Sequence, residues 1–209
     1  MSQAETPAPA VRWRLDGRVA LVTGASAGLG ARFAQVLHAA GAHVIVAARR
    51  ADHLQELAQR CGNRIETLAG DIADPGHRQQ LAGLVRGHDR LDVLVNNAGI
   101  CDDGPLENQS LDDLRRVVEV NLISLTRHLA AVWGHDGIRV NALAPGYFPT
   151  DLTGFLADPG FAQSIRDQTL LGRTPAPGEL DGPLLFLATD ASSYMTGQAL
   201  VIDGGWTSV

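Results

Sequence analysis

The sequence predicts an α/β fold built on a doubly wound parallel sheet, and two observations predict it. Short apolar runs alternate with stretches of helical periodicity through most of the 209 residues, and the first run ends in a glycine-rich turn that opens straight into a helix. That run is Val19-Ala20-Leu21-Val22, the turn is Thr23-Gly24-Ala25-Ser26-Ala27-Gly28-Leu29-Gly30, and the helical pattern runs from Ala31 to Ala40. A turn of this kind aims backbone N–H groups and the positive end of the helix dipole at one point, which suits a phosphate. Gly24, Gly28 and Gly30 allow a tight turn, a close approach of the backbone to a pyrophosphate, and close packing of helix on strand. With a strand before it and a helix after it, the turn reads as a dinucleotide site rather than an ordinary loop.

Residues 1–14, rich in Ala and Pro, read as a flexible tail, and residues 15–209 as a single domain. Phe33, Val36, Leu37 and Ala40 share a helical face that Gly41 ends. His43-Val44-Ile45-Val46-Ala47-Ala48 is nearly all apolar, as suits a parallel strand buried on both faces. A helix over 52–61 stops at Gly62, and 65–69 is a third strand. Asp74-Pro75 then supplies an N-cap and first residue for a helix ending near Gly87. A fourth strand, 91–95, runs into Asn96-Asn97-Ala98-Gly99. This alternation puts Gly24, Ala48, Asp71 and Asn96 at the carboxyl ends of parallel strands, where ligands of such sheets sit.

Charge and composition restrict the partners. A formal net charge of −6, with 45% hydrophobic and 19% charged residues, argues for a globular chain and against nucleic acid or an anionic membrane surface. Cys61 and Cys101 fit neither a ligand pattern nor a disulfide framework. The seven histidines show no pair at metal-site spacing, so no metal is expected. No apolar run approaches ~20 residues, and the start lacks the apolar core of a signal peptide, so a cytoplasmic protein is expected. All 17 basic residues are arginine. There is no lysine.

Thr23–Gly30, Asp71-Ile72, Asn96-Asn97-Ala98-Gly99, Val120-Asn121-Leu122, Ile138-Arg139-Val140-Asn141, Pro145-Gly146 and Val201-Ile202-Asp203-Gly204-Gly205 occur in that order. In this combination the chain resembles the short-chain dehydrogenase/reductase family, Rossmann-fold oxidoreductases that move hydride between NAD(P) and carbonyl or alcohol groups. The resemblance implies a cofactor site of Gly24, Ser26, Gly28, Leu29, Gly30, Arg49, Asp71, Ile72, Asn96, Ala98, Gly99, Pro145 and Gly146. Asp71 would hold the adenine amino group, where the plainer reading is a turn carboxylate. Asn96 would border the adenosine ribose, where the plainer reading is again a turn. A cofactor with a free 2′-hydroxyl wants a carboxylate at the end of the second strand, and Ala48 stands there. Arg49 supplies a cation for a 2′-phosphate instead, which favours NADP(H) over NAD(H); the alternative is a solvated Arg49-Arg50 pair. Asn121 matches the one member of the family's catalytic set that is present, and otherwise reads as a polar residue in a helix.

The rest of that set is missing. In the family a serine and then a Tyr-x-x-x-Lys lie between the Asn121 motif and the strand at Ile138, and here only residues 122–137 separate those landmarks. Tyr147 follows Pro145-Gly146 and Tyr194 precedes the last strand; neither has a lysine four residues on. Unassisted, Tyr147 would titrate near ~10 and serve poorly as a base. The gap reads as the loss of one strand–helix unit of roughly 30–45 residues. The helices on either side would then fuse near Ile123-Ser124. The fused helix would start at Ser110, capped with Asp113, and run through Leu125, Leu129 and Val132 to a stop at Gly134, roughly 24 residues and ~36 Å long. A strand over 137–143 is expected to move beside 91–95, giving six strands in one sheet; the alternative is an empty slot where the missing strand would lie. Residues 158–171 resemble the family's mobile lid, 179–189 form a helix with Pro183 in its early part, and 198–202 form the last strand.

Three functions are compatible with these residues. The first is an NADP(H)-dependent carbonyl reductase or alcohol dehydrogenase, impaired because the missing proton transfer is worth roughly 10²–10⁴ in rate. The second is a non-catalytic dinucleotide-binding module, and the third an inactive deletion product. The partners implied are the dinucleotide, a small carbonyl or alcohol substrate if the chain is active, and a second copy. Of the family's two self-contacts, the one through the last strand and its preceding helix survives, which predicts a dimer. If Leu125, Leu129 and Trp133 stay unburied, the fused helix carries an apolar patch.

Overall fold

The computed structural model describes residues 13–98, 123–150, 153 and 158–208. In chain order it contains β1 (Val19–Thr23), α1 (Gly28–Ala39), β2 (His43–Ala48), α2 (Ala51–Cys61), β3 (Ile65–Ala69), α3 (Pro75–Arg86) and β4 (Val93–Val95). After these come α4 (Ser124–Trp133), β5 (Ala142–Pro145), α5 (Pro159–Gln168), α6 (Asp181–Ala188) and β6 (Ala199–Ile202). Every described strand pairing is parallel, so the fold is α/β as expected. The described residues fall into two compact units. One holds β1–β4, α1–α3 and Leu184–Ala191; the other holds α4, β5, α5 and residues 192–208.

In the first unit the strand order is β3-β2-β1-β4. The chain winds outward from β1 to β3 and then returns to β4 on the far side of β1. With right-handed crossovers that puts α1 and α2 on one face and α3 on the other, and makes the carboxyl ends of β1 and β4 the topological switch point. On the α3 face, Val19, Leu21, Ile45 and Ala47 form one cluster with Leu81, and Leu68, Ile72, Leu84 and Val85 pack onto it. β1 is buried at every residue, and β2 at every residue after His43. The caps follow the sequence. Asp74 accepts hydrogen bonds from the N–H groups of Gly76 and His77, with Pro75 as first helical residue. Gly41 (φ +111°) and Gly62 (φ +80°) take the positive φ that ends α1 and α2.

β4 starts at Val93, two residues later than expected, directly after Asp92. Its carboxylate accepts from the Val19 N–H (2.8 Å) and from Arg18 (3.1 Å) and Arg90 (2.8 Å), tying β4 to the beginning of β1. Burial pushes the Asp92 carboxyl upward, but these hydrogen bonds outweigh it and hold the group below the usual carboxylate range.

The second unit departs from expectation. Among the described strands β5 pairs with β6 alone and β4 only with β1, so the six form a four-stranded and a two-stranded sheet rather than one. The expected strand over 137–143 is reduced to Ala142–Pro145. Side-chain bonds occupy its first half: Arg139 donates to Ser192 Oγ (2.8 Å), the Val140 N–H to Thr196 Oγ1 (3.1 Å), and Asn141 Nδ2 to the Met195 carbonyl (3.0 Å). The α-helix ends as expected, with Gly134 as its C-cap, and a 3₁₀ turn over Gly134–Asp136 then runs into Gly137 at φ +76°. Of the fused helix only Ser124–Trp133 can be compared, because its first half lies outside the described residues. Leu125, Val132 and Trp133 are exposed on it, whereas Leu129 is half-buried, so the expected patch is met in part.

Candidate functional site

The glycine turn joins β1 to α1 at the switch point, and its geometry is set by three close approaches. Gly24 has φ +69°, and a Cβ there would lie 2.8 Å from Ala98 Cα. A Cβ on Gly30 would collide with the Gly24 carbonyl and stand 2.5 Å from Asn97 Nδ2. Gly28 has φ +56°. Thr23 and Asn97 lock the turn to the end of β4. The Asn97 side-chain amide donates to the carbonyls of Thr23 and Gly24 (3.3 Å each), while the N–H groups of Asn97 and Ala98 donate to Thr23 Oγ1 (3.1 Å each). Sequence reading passed over Asn97 in favour of Asn96, although both stand in the same Asn-Asn-Ala-Gly run.

The residue before α1 is Ala27, and no side chain caps the helix. Its first N–H groups therefore face the turn without a built-in acceptor, which suits an anion. Ser26 and Leu29 are half-buried along the turn, and Ala98 is exposed beside it. The neighbouring strand ends complete the edge. Arg49 and Arg50 are both exposed after β2, and Arg50 reaches back over the turn, with Nε and Nη2 each 3.3 Å from Ser26 Oγ. Arg49 is the cation that the sequence singles out; the bonds to the turn are made by its neighbour Arg50. The signal was the doubled arginine.

Beyond β3, Asp71 is exposed and its Oδ1 accepts the Ala73 N–H (2.9 Å), so part of it serves the turn into α3. Ile72 packs its side chain into the α3-face core, leaving backbone rather than side chain to offer a ligand. Asn96 is exposed directly after β4. Gly24, Ala48, Asp71 and Asn96 thus lie along the carboxyl edge of one four-stranded sheet, as expected, with Arg49 next after Ala48. Gly99 and Asn121 lie outside the described residues.

Pro145 and Gly146 belong to the second unit. Gly146 donates to the Ile202 carbonyl (2.9 Å), and a Cβ on it would stand 2.8 Å from Asp203 Cα. Tyr147 sits edge-on to Trp206 at 5.1 Å and lines an open pocket with Phe148, Ile165, Arg173 and Glu179. Arg173 and Glu179 form a two-pronged ion pair (2.8 and 2.6 Å). That bond and the Ala176 N–H hold the Glu179 carboxyl at about 2. Tyr194 is fully exposed. Among the described residues no helix is long and apolar enough to cross a membrane.

A family model described as short chain dehydrogenase matches residues 18–132, and one described as enoyl-(acyl carrier protein) reductase matches residues 121–207. The chain is 30% identical to D-threitol dehydrogenase of Mycolicibacterium smegmatis over 258 aligned positions, spanning 99% of each chain. It is 33% identical to gluconate 5-dehydrogenase of Gluconobacter oxydans, covering 92% of this chain and 96% of that one. Among solved structures, a gluconate 5-dehydrogenase from Burkholderia cenocepacia in complex with NADP and tartrate superposes with a TM-score of 0.82. It is 30% identical, with 96% of this chain and 99% of that chain covered. The 258 positions aligned to the first relative exceed the 209 residues here although both chains are spanned almost end to end, so the shortfall is internal. By family model and by relatives aligned along nearly its whole length, this chain belongs to the short-chain dehydrogenase family of NAD(P)-dependent oxidoreductases.

Proposed function

We propose that this chain holds NADP(H) on the carboxyl edge of its four-stranded sheet and does not turn over carbonyl or alcohol substrates at the rate of a complete enzyme. One observation carries the reading: residues 122–137 contain neither tyrosine nor lysine, and the whole chain contains no lysine. Bound cofactor supplies the hydride, but the hydroxyl proton needs a donor with a tuned pKa. Tyr147 has no lysine to lower its pKa, and Asn121 lacks the lysine towards which it would order water.

The binding half is supported residue by residue. The amides of Gly28, Leu29 and Gly30 would take the pyrophosphate, with Gly24, Ser26 and Ala98 shaping the cradle. Asp71, Ile72 and Asn96 would border the adenosine, and the family resemblance alone assigns Gly99, Pro145 and Gly146 to the cofactor. Ala48 offers no carboxylate to a 2′-hydroxyl, whereas Arg49 and Arg50 offer two cations to a 2′-phosphate. The NADP complex of the Burkholderia relative agrees with that choice. NAD(H) is the weaker alternative. Residues 15–209 would act as one cytoplasmic domain, dimerising through β6 and the helix before it.

Titration with NADPH and NADH, beside a broad carbonyl-reduction assay, tests the reading. Saturable NADPH binding without turnover is expected, and robust turnover would overturn it. A second reading, an inactive deletion product, is favoured by Leu94, which is 51% exposed on β4. It requires no binding and no cooperative melt.

A further inference from the structure

We infer that His43, Glu66 and His88 form a binding site for a divalent transition-metal ion of the zinc class, at the end of the sheet opposite the glycine turn. His43 opens β2, and Glu66 is the second residue of β3. The register pairs Ile45 with Glu66, and His43 lies two residues before Ile45, so both side chains share the α3 face. α3 packs on that face, and the turn after it delivers His88.

The three groups converge on one point. His43 Nε2 is 2.6 Å and His88 Nε2 2.9 Å from the same oxygen, Glu66 Oε1, and the two imidazole centroids lie 4.4 Å apart. All three ligand atoms fall within 4.8 Å of one another. Ligand atoms around a tetrahedral zinc stand about 3.3 Å apart, so the imidazoles of His43 and His88 must draw back from Glu66 Oε1 by about 0.7 and about 0.4 Å to admit the ion. Two imidazoles and one carboxylate suit zinc, and three protein ligands leave a fourth position for water.

The side chains are 28%, 36% and 23% exposed, which leaves an entry path while the sheet and helix restrict their rotamers. The nearby Arg64 guanidinium is turned away to the Ala42 carbonyl (3.1 Å), so it does not occupy the point of convergence. The non-glycine residues Arg64 (φ 61°) and Asp89 (φ 57°) hold positive φ in the turns that present Glu66 and His88. β2 spans about 17 Å from His43 to Ala48 at ~3.3 Å per residue, so an ion here is out of reach of the glycine turn. Its role is to pin β2, β3 and the end of α3 together. Bound ion would raise the melting temperature by mass action. The site stands whether or not the chain binds NADP(H).

The test is Zn²⁺ titration by calorimetry on chelator-treated full-length chain without a histidine tag, with Co²⁺ as a spectroscopic substitute. One ion per chain, visible Co²⁺ bands and a Zn²⁺-dependent rise in Tm are expected. His88→Gln and Glu66→Gln should each weaken binding by more than about tenfold, while His135→Gln, exposed in the second unit, should leave it unchanged. The metal-free melt of each variant shows whether it folds, and the two variants are read independently. Absence of one-to-one uptake, or uptake that both variants retain, overturns the site and leaves a carboxylate shared by two imidazole N–H donors.

Discussion

β1–β2 and β5–β6 are both parallel strand pairs of similar apolar composition, yet they end in different environments. Almost every residue of the first pair is buried, whereas no residue of the second reaches that state. Ala142-Leu143-Ala144 is no more polar than Val19-Ala20-Leu21, so the difference does not come from the strands themselves. β1 and β2 have ladder partners on both sides and packed helices on both faces; β5 and β6 have only each other among the described strands. A parallel strand is buried by its neighbours, and a ladder of two lacks enough of them. This short-chain dehydrogenase chain thus has a well-buried four-stranded first unit and a second unit whose described strands form a ladder of two.

The sharpest way to break this contrast is Gly30→Val, which drives a branched side chain into the Gly24 carbonyl and the Asn97 amide. The first unit should lose its fold or its cradle, at a cost above ~4 kcal/mol. A normal melt with intact NADPH binding would show that the turn is looser than described. Ile45→Ala removes a fully buried side chain from the α3-face cluster and should cost about 3 kcal/mol in urea unfolding. Val201→Ala, at a β6 position 46% exposed, should cost no more than about 0.5 kcal/mol. Equal costs at the two positions would erase the distinction between the ladders.

A smaller effect is expected on selectivity. Arg50→Ala removes a cation from above the turn and should weaken NADPH binding roughly tenfold while sparing NADH. Equal loss for both cofactors would mean that Arg50 supports the loop rather than a 2′-phosphate.

The smallest effect concerns acid, where the two units behave alike. In the first, Asp92 is held low as described. In the second, burial pushes the Asp203 carboxyl up, but hydrogen bonds from Thr207 and Gly205 outweigh it and leave the group lowered. A lowered folded-state value adds stability that is complete above the unfolded value of about 3.9 and disappears as pH falls through the folded one. The urea midpoint should therefore hold steady near neutrality and drop below about pH 4. Asp92→Asn should make the drop shallower; an unchanged acid limb would show that other carboxylates govern it.

The family and the architecture of the first unit were legible in the sequence because their signals are local. A strand, a glycine turn and a helix lie side by side in the chain, and capping by Asp74-Pro75 or the positive φ of Gly41 and Gly62 depends on a few bonded neighbours. The missing lysine needed no structure at all. Tertiary structure decided the rest, because it depends on groups far apart in the chain. The pairing of β5 with β6, and the bonds from Arg139, Val140 and Asn141 to residues 192–196, join groups more than fifty positions apart. The clamp of Thr23 and Asn97 spans 74 residues. His43, Glu66 and His88 have no spacing that marks a metal site, and only sheet register and the return of α3 bring them to one oxygen.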